Sequence, residues 1–259
     1  MLLLISPAKS LDFESPHPKC RATQARFLDD SAALVDVLRE YSPHKLASLM
    51  SISDALAALN FDRFANWQRP IRAATGRPAV FAFDGDVYDG LQARLMAEEE
   101  VHYAQTQLRI LSGLYGVLRP LDLILPYRLE MGTRLKNPQG KDLYAWWGTK
   151  VTDMLRTDLR HSAGERVVVN CASEEYFKVV KPEALNAPVV TPVFQEWKNG
   201  QWKIVSFFAK RARGLMARFA IEQRIEAAED LKAFELDGYR FDATASRGDE
   251  WYFRRKQVV

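Results

Sequence analysis

Two polar loops follow short apolar runs of the chain and carry residues that could do chemistry. Ser6 and Lys9 follow the apolar residues 2–5, and Asn170 and Ser173 follow a second apolar run. Polar residues that leave the carboxyl ends of buried strands commonly face a ligand crevice. Ser-x-x-Lys is also the nucleophile motif of β-lactamases, but the sequence contains neither of its partner motifs, Ser-Asp-Asn and Lys-Thr-Gly. We therefore interpret Lys9 as a contact for an anion, with a solvated lysine beside a turn as the alternative.

Residues 109–134 place glycines, prolines and arginines within an apolar region. Glycine permits a positive φ and proline fixes φ, so this composition is typical of a shaped loop. Arginine and tyrosine together suit a planar, anionic partner such as nucleic acid or a nucleotide. Two interpretations stay open. The segment is either the wall of an anion-binding site, with Arg119, Arg128 and Arg134 facing the anion, or a buried crossover whose arginines pair with carboxylates.

A basic stretch without any acidic residue runs from Trp197 to Ile221. We expect a strand over residues 202–209 and a helix that begins near Lys210. Basic residues at a helix N-terminus oppose the macrodipole, so their presence there indicates selection for an anion. The alternative is a solvated basic face. The basic residues of the stretch are Lys198, Lys203, Lys210, Arg211, Arg213 and Arg218.

Carboxylates cluster in the segment FDGDVYDG, which contains Asp84, Asp86 and Asp89. Such residues could bind a divalent cation. The spacing fits no EF-hand, however, and Asp-Gly pairs after a strand are typical of turns, which we favour. The four histidines and the two cysteines, Cys20 and Cys171, have no metal-ligand spacing, so we predict no metal site and no cofactor.

Apolar runs and helical periodicities alternate along the chain, without repeats or linkers. The pattern predicts strands over residues 2–5, 78–83, 166–170, 189–197, 202–209 and 251–255. It predicts helices over residues 22–40, on either side of a break at 51–53, and over 98–111, 141–159, 211–226 and 229–235. Asn199-Gly200 predicts a hairpin. We expect one mixed α/β (α+β) domain over residues 1–259, with a mixed central sheet, surrounding helices and a helical subregion at about 22–67.

The bulk composition is that of an ordinary globular protein, with 259 residues, 47% hydrophobic and 27% charged. The net charge of +3 is too small to indicate nucleic-acid binding by itself. The start of the chain does not resemble a signal peptide, and no apolar window reaches the ~18 residues of a membrane span. We therefore expect a soluble, cytoplasmic protein without a membrane partner.

Residues 44–57 resemble a helix-hairpin-helix motif, in which two short helices flank a hairpin of the type Leu-Pro-Gly-Ile-Gly. Residues 49–53 take these five places, and Ala57 takes the place of the motif's alanine. The two glycines, which let backbone N–H groups approach a DNA phosphate, are replaced by Ser51 and Ser53. A serine hydroxyl can donate to phosphate, but serine disfavours a left-handed backbone. An ordinary helix pair is the alternative.

Five motifs that occur in order along the chain carry a resemblance to one family. They are MLLLISPAKSLDFESP, FDGDVYDGL, LSGLYGVLRPLDLILPYRLEMG, VVVNCASEEYFK and FFAKRARGLMARF. With these motifs the chain resembles the peroxide stress protein YaaA family, from Met1 to about Phe241.

The resemblance implies a cytoplasmic protein that protects cells from hydrogen peroxide and limits iron-driven damage to DNA. It implies sequence-nonspecific binding of double-stranded DNA, including distorted or bubbled duplexes. It also implies an α/β fold with a basic cleft and a helix-hairpin-helix element. We expect a DNA-binding monomer and name no catalytic residue.

The matching motifs and the helix pair supply the candidate site residues. Those expected to contact DNA are Lys9, Lys45, Ser51, Ser53, Arg119, Arg128, Arg134, Lys178, Lys181, Lys210, Arg211, Arg213 and Arg218. Those expected to stack on unpaired bases or to line a pocket are Tyr115, Tyr127, Tyr176, Gly113, Asn170 and Ser173. Non-specific binding needs only cations along a groove, and aromatic rings would favour bubbles over plain duplex.

Two other functions are consistent with the same residues. The first is an enzyme that acts on a nucleotide or a nucleic-acid base in a pocket formed by the strand-end loops. Its signature would be a deep, closed pocket at these loops, whereas an open groove would indicate binding alone. The second is direct iron sequestration, which the scattered histidines and cysteines support poorly.

Overall fold

The fold is built on a mixed sheet whose central strand, β1 (Leu2–Ile5), is buried along its whole length. The computed structural model describes residues 1–256. Its remaining strands are β2 (Ser10–Leu11), β3 (Thr23–Gln24), β4 (Arg77–Pro78), β5 (Phe83–Asp84), β6 (Leu108–Ser112), β7 (Gly116–Leu118), β8 (Asp122–Ile124), β9 (Val168–Cys171), β10 (Val189–Lys198), β11 (Gln201–Lys203), β12 (Arg240–Phe241) and β13 (Glu250–Arg255).

Helices surround the sheet, as the sequence predicts for a mixed α/β domain. The α-helices are α1 (Leu28–Arg39), α2 (Pro43–Met50), α3 (Asp54–Ala65), α4 (Ala79–Ala82), α5 (Asp86–Leu91), α6 (Glu98–Gln107), α7 (Leu143–Trp147), α8 (Lys150–His161), α9 (Glu174–Phe177), α10 (Pro182–Leu185) and α11 (Ser206–Glu222). Short 3-10 helices cover Ala93–Leu95, Ala228–Ala233 and Leu236–Gly238.

The main sheet has the strand order β12-β13-β10-β9-β1-β6-β7, and β11 pairs with β10. β1 runs parallel to both β6 and β9, and β9 and β10 are also parallel. Because parallel strands end at the same edge, the loops after β1 and β9 meet there. Two smaller sheets, β2-β5 and β3-β8-β4, cover parts of the remaining surface.

Several predicted elements are confirmed. β1 has the predicted bounds, and the break at 51–53 separates α2 from α3. The hairpin joins β10 to β11 through Asn199 and Gly200, whose φ angles of 53° and 78° fit the type I′ turn that Asn-Gly favours. The helical subregion predicted at 22–67 contains α1 to α3, although Thr23–Gln24 is a strand.

Three predicted elements are wrong, and each is an apolar run that periodicity alone cannot assign. Residues 79–82 form α4 and not part of a strand. The helix predicted to reach residue 111 ends at Gln107, because the next five residues pair with β1 and β7. The strand predicted over 202–209 ends at Lys203, and α11 begins at Ser206.

α11 packs unusually closely on α5 through two glycines. A Cβ atom on Gly214 would lie 1.8 Å from the Val87 carbonyl oxygen, and one on Gly90 would lie 2.1 Å from the Arg211 carbonyl oxygen. Only glycine permits such an approach of two backbones. This contact fixes the N-terminal half of α11 beside residues 84–87.

No helix within residues 1–256 is long and apolar enough to cross a membrane.

Candidate functional site

A pocket of about 450 Å3 lies at the edge of the sheet where β1 and β9 end. We call it the strand-end pocket. The chain that leaves β1, the loop between β5 and α5, the start of α9 and the N-terminal half of α11 all contribute to it. Its lining residues are Ser6, Pro7, Ala8, Lys9, Ser10, Asp84, Gly85, Asp86, Val87, Glu130, Ser173, Glu175, Tyr176, Lys210 and Arg213.

Hydrogen bonds hold the floor of the pocket together. The backbone N–H of Ser173 donates to Ser6 Oγ over 2.9 Å, and the two hydroxyl oxygens lie 3.3 Å apart. Tyr88 on α5 donates its hydroxyl to the Ser6 carbonyl oxygen over 3.2 Å. Burial raises the pKa of Tyr88 well above its ordinary value, so this hydroxyl stays protonated. The ends of β1 and β9 are thus fixed to each other and to α5.

The three cations of the pocket differ in their neutralisation. Lys9 Nζ lies 2.8 Å from Glu130, and Lys210 Nζ lies 3.6 Å from Asp86. Arg213 is half-buried and, among residues 1–256, forms no ion pair and no side-chain hydrogen bond. Burial lowers the pKa of its guanidinium. Arg213 is therefore a cation in the pocket wall that no carboxylate neutralises.

The pocket continues in two directions. A narrow crevice beside it is lined by Tyr127 and Arg128 and shares Lys9 and Glu130 with it. On the other side, an open depression of about 550 Å3 shares Asp84 and is lined by Arg63 of α3. We call these three adjoining spaces the groove. They are lined by cations from four separate segments of the chain, namely Lys9, Arg63, Arg128, Lys210 and Arg213.

Three of the predicted DNA contacts lie outside the groove and are neutralised within the protein. Arg119 lies 2.8 Å from the buried Asp122. Arg211 lies 2.6 Å from Asp237, and Arg218 lies 2.6 Å from Glu222. For Arg119 this is the alternative stated above, an arginine paired with a carboxylate. Arg211 and Arg218 are also paired with carboxylates, whereas the alternative stated for them was a solvated basic face.

The prediction that basic residues from Lys210 onward lie at the N-terminus of a helix is also wrong. α11 begins at Ser206, one turn before Lys210, so the basic residues do not lie at its N-terminus. Lys210 and Arg213 share a face of α11 because residues three apart are neighbours on a helix. That face lines the pocket, whereas Arg211 points elsewhere.

The helix pair α2–α3 has the backbone of a tight hairpin. Ser51 adopts φ 51° and ψ 54°, a left-handed conformation at the place of the motif's first glycine. Ser53 caps α3 by accepting from the Leu56 N–H over 3.4 Å, so its hydroxyl already has a backbone partner. Lys45 is exposed on α2. None of these three residues lines the groove.

Three further predicted contacts lie outside the groove lining as well. Arg134 and Lys178 are exposed, and the Lys178 ammonium lies 5.0 Å from the centre of the Tyr144 ring. Lys181 is half-buried, and its backbone N–H donates to Thr152 Oγ1 over 2.9 Å.

Two of the predicted stacking residues belong to the core. Tyr115 is fully buried, and its hydroxyl accepts from the Trp67 indole over 3.0 Å and from the Leu125 N–H over 3.1 Å. Burial raises its pKa to about 12. The Tyr127 hydroxyl is bonded to that of Ser112 over 2.6 Å. Tyr115 therefore has no exposed face on which a base could stack, whereas Tyr127 is 5% exposed and lines the narrow crevice of the groove.

Of the other residues predicted to line a pocket, some line the strand-end pocket and some lie in the core. Tyr176 and Ser173 line the strand-end pocket. Gly113 does not, since a Cβ there would lie 2.3 Å from the Leu129 carbonyl oxygen in the core. Asn170 is buried, and its side chain accepts from the Ala172 N–H over 3.1 Å.

Sequence reasoning missed the groove residues Arg63 and Glu130, and it missed Tyr88, which donates to the carbonyl oxygen of the pocket residue Ser6. Arg63 lies on a helix that the sequence analysis considered only for its hairpin, and no local pattern connects it to Asp84. Within residues 1–256, no group of three or more His, Cys, Asp or Glu side chains is placed to hold a metal ion. Asp84, Asp86 and Glu175 share the pocket without forming such a group.

Fold and site together define a class: a mixed α/β domain with a polar pocket at the carboxyl ends of two parallel central strands. Residues 1–245 match the family model described as peroxide stress protein YaaA. The chain belongs to the peroxide stress protein YaaA family, as its five motifs predict.

The chain is also similar over its full length to curated relatives named UPF0246 proteins. A UPF0246 protein of Burkholderia mallei (strain SAVP1) is 57% identical over 257 residues, which cover 99% of each chain. A UPF0246 protein of Azoarcus sp. (strain BH72) is 57% identical over 260 residues, covering 99% of this chain and 100% of the relative. A role in peroxide stress follows from the family.

Proposed function

We propose that the protein binds DNA without sequence preference in the cytoplasm, as a monomer, and protects it from iron-dependent oxidative damage during peroxide stress. The observation that carries the proposal is the groove, whose adjoining spaces are lined by cations from four separate segments. Family membership supports the connection with peroxide.

The physical basis of such binding is the release of counterions from DNA. Each phosphate that a lysine or arginine neutralises makes the fall of log K with log salt steeper by about 0.9 for duplex DNA. Lys9, Arg128 and Lys210 already face carboxylates, so they contribute less than free cations. Among the cations of the groove, Arg63 and Arg213 have no carboxylate within ion-pair distance in residues 1–256, and they carry most of the expected effect.

The hairpin between α2 and α3 supports a second phosphate contact. The left-handed Ser51 gives the turn the backbone conformation that glycine provides in the motif. Ser53 and the start of α3 are exposed, so backbone N–H groups of the first turn are accessible to a phosphate. Lys45, one helix away, adds a cation on the same pair.

The proposal is tested by fluorescence anisotropy of a plain and a bubbled duplex between about 50 and 200 mM salt. The double variant Arg63→Gln/Lys210→Gln should weaken binding to both duplexes and make the salt slope shallower by about 1, most of it from the unpaired Arg63. Arg211→Gln/Arg240→Gln removes the same charge outside the groove and is the matched control. Equal binding of the groove variant and the parent at low salt, across unrelated sequences, contradicts the proposal.

A further inference from the structure

The strand-end pocket is not built like a simple phosphate track. Its lining contains three cations and four carboxylates, namely Asp84, Asp86, Glu130 and Glu175. A surface that only follows a polyanion would gain nothing from these acids, since they repel phosphate. The pocket therefore has a chemistry of its own.

The two ion pairs within the pocket leave three charges without an ion-pair partner, namely Arg213, Asp84 and Glu175. Lys9 faces Glu130 and Lys210 faces Asp86. Within residues 1–256, Arg213 and Asp84 have neither an ion pair nor a side-chain hydrogen bond. Glu175 accepts from the Gly132 N–H over 2.9 Å. A complementary ligand thus needs one anionic group for Arg213 and hydrogen-bond donors for Asp84.

Apart from Ser6, Ser10 and Ser173, the remaining wall is apolar. Pro7, Ala8, Val87 and the ring of Tyr176 line it. An apolar wall with a few convergent polar groups is the usual composition of a small-molecule site. The volume of about 450 Å3 lies within the range of roughly 300–1,000 Å3 for such pockets. A ligand with a planar, weakly polar body fits this wall.

We propose that the strand-end pocket binds one nucleoside monophosphate unit. Its phosphate lies on the Arg213 guanidinium, which presents paired N–H donors to phosphate oxygens. Its base lies against the wall formed by Pro7, Val87 and Tyr176. Donor groups of its ribose or base face Asp84. The unit is either a free nucleotide or a nucleotide extruded from a DNA strand, and only the second source rests on the proposed function.

Free-nucleotide binding is tested by isothermal titration of the full-length protein with adenosine 5′-monophosphate, adenosine and inorganic phosphate. We expect the monophosphate to bind at least tenfold more tightly than either fragment. Arg213→Gln should weaken monophosphate binding at least tenfold and leave adenosine unchanged. Arg211→Gln, two residues away on α11 and outside the pocket, is the matched control and should bind as the parent does.

The source of the nucleotide is distinguished by competition. If the pocket receives an extruded nucleotide, adenosine 5′-monophosphate displaces a bubbled duplex but not a fully paired one, and Arg213→Gln removes the preference for the bubble. Monophosphate binding without competition assigns the pocket to a free nucleotide. Either result supports the inference, and the second does so even if DNA binding fails.

A second variant keeps the inference testable if Arg213→Gln does not fold. Ala8→Trp places a large side chain into the pocket from a half-exposed loop position and should block the monophosphate while the melting temperature stays near that of the parent. The inference is overturned if the folded parent binds no monophosphate at millimolar concentration and Arg213→Gln prefers bubbled over paired DNA as strongly as the parent does. It is also overturned if Arg213→Gln and Ala8→Trp bind the monophosphate as well as the parent.

Discussion

Residues 109–134 and the N-terminal half of α11 both present arginines, yet the structure uses them in opposite ways. In the first region, Arg109 pairs with the partly buried Asp158 and Arg119 with the buried Asp122, and the tyrosines are fixed in the core. In the second, Arg213 lines a pocket and has no carboxylate within ion-pair distance among residues 1–256. An arginine in a conspicuous motif is therefore not by itself a ligand contact. What matters is whether the fold places a carboxylate within ion-pair distance of the arginine.

The largest effect should come from the ion-pair cluster around Asp158 of α8. Both Arg109 and Arg26 lie 2.5 Å from its carboxylate, and the Arg109 side chain is almost completely buried. Asp158→Asn leaves two guanidinium groups without a counter-charge and should lower the free energy of unfolding by about 3–5 kcal/mol. Urea denaturation measures this. Asp153→Asn on the same helix breaks an exposed pair with Arg156 and should cost less than about 1 kcal/mol.

The second-largest effect should be the difference in stability between a variant of a paired arginine and a variant of an unpaired one. Arg119→Ala removes the partner of Asp122, which is fully buried, and should destabilise the fold by about 1–3 kcal/mol. Arg213→Ala removes a side chain with no polar partner in residues 1–256 and should change stability by less than about 0.5 kcal/mol. The comparison is contradicted if thermal denaturation shows that Arg213→Ala is more destabilising than Arg119→Ala.

The role of Tyr115 separates stability from binding. Tyr115→Phe removes the hydroxyl that Trp67 and Leu125 bond, so two buried N–H groups lose their acceptor. We expect a loss of about 1–3 kcal/mol in the free energy of unfolding and no change in the affinity for bubbled DNA. Weaker bubble binding at full stability would restore the stacking role predicted from sequence.

The smallest effect is a dependence of stability on pH. Burial would raise the pKa of Asp158, but the hydrogen bonds and charges of Arg26 and Arg109 outweigh it and lower the pKa below its ordinary value of 3.8. The stability that comes from this shift is fully present above the unfolded-state pKa and is lost as pH falls through the folded-state pKa. The free energy of unfolding of the parent, measured by urea denaturation, should therefore fall more steeply below pH 3.8 than that of Asp158→Asn. Parallel pH dependences of the two free energies would contradict this.

Much of the local structure could be predicted from the sequence. The apolar run of β1, the Asn-Gly hairpin and the break between α2 and α3 each depend on residues that are neighbours in the chain. Ser42 and Ser53 cap α2 and α3, which is why that break is visible in the sequence. The errors fall on short apolar runs such as residues 79–82, whose conformation depends on the surfaces that bury them.

The sequence by itself determined the family, the mixed α/β class and the polar loops after the central strands, because motifs and periodicity are local properties. The tertiary structure alone decided which cations are free. Arg109 meets Asp158 across 49 residues, and no local pattern records such a pairing. Likewise, the contact of α11 with α5 through Gly90 and Gly214 places Arg213 in the pocket. Neutralisation is a matter of distance in space, and only the fold sets that distance.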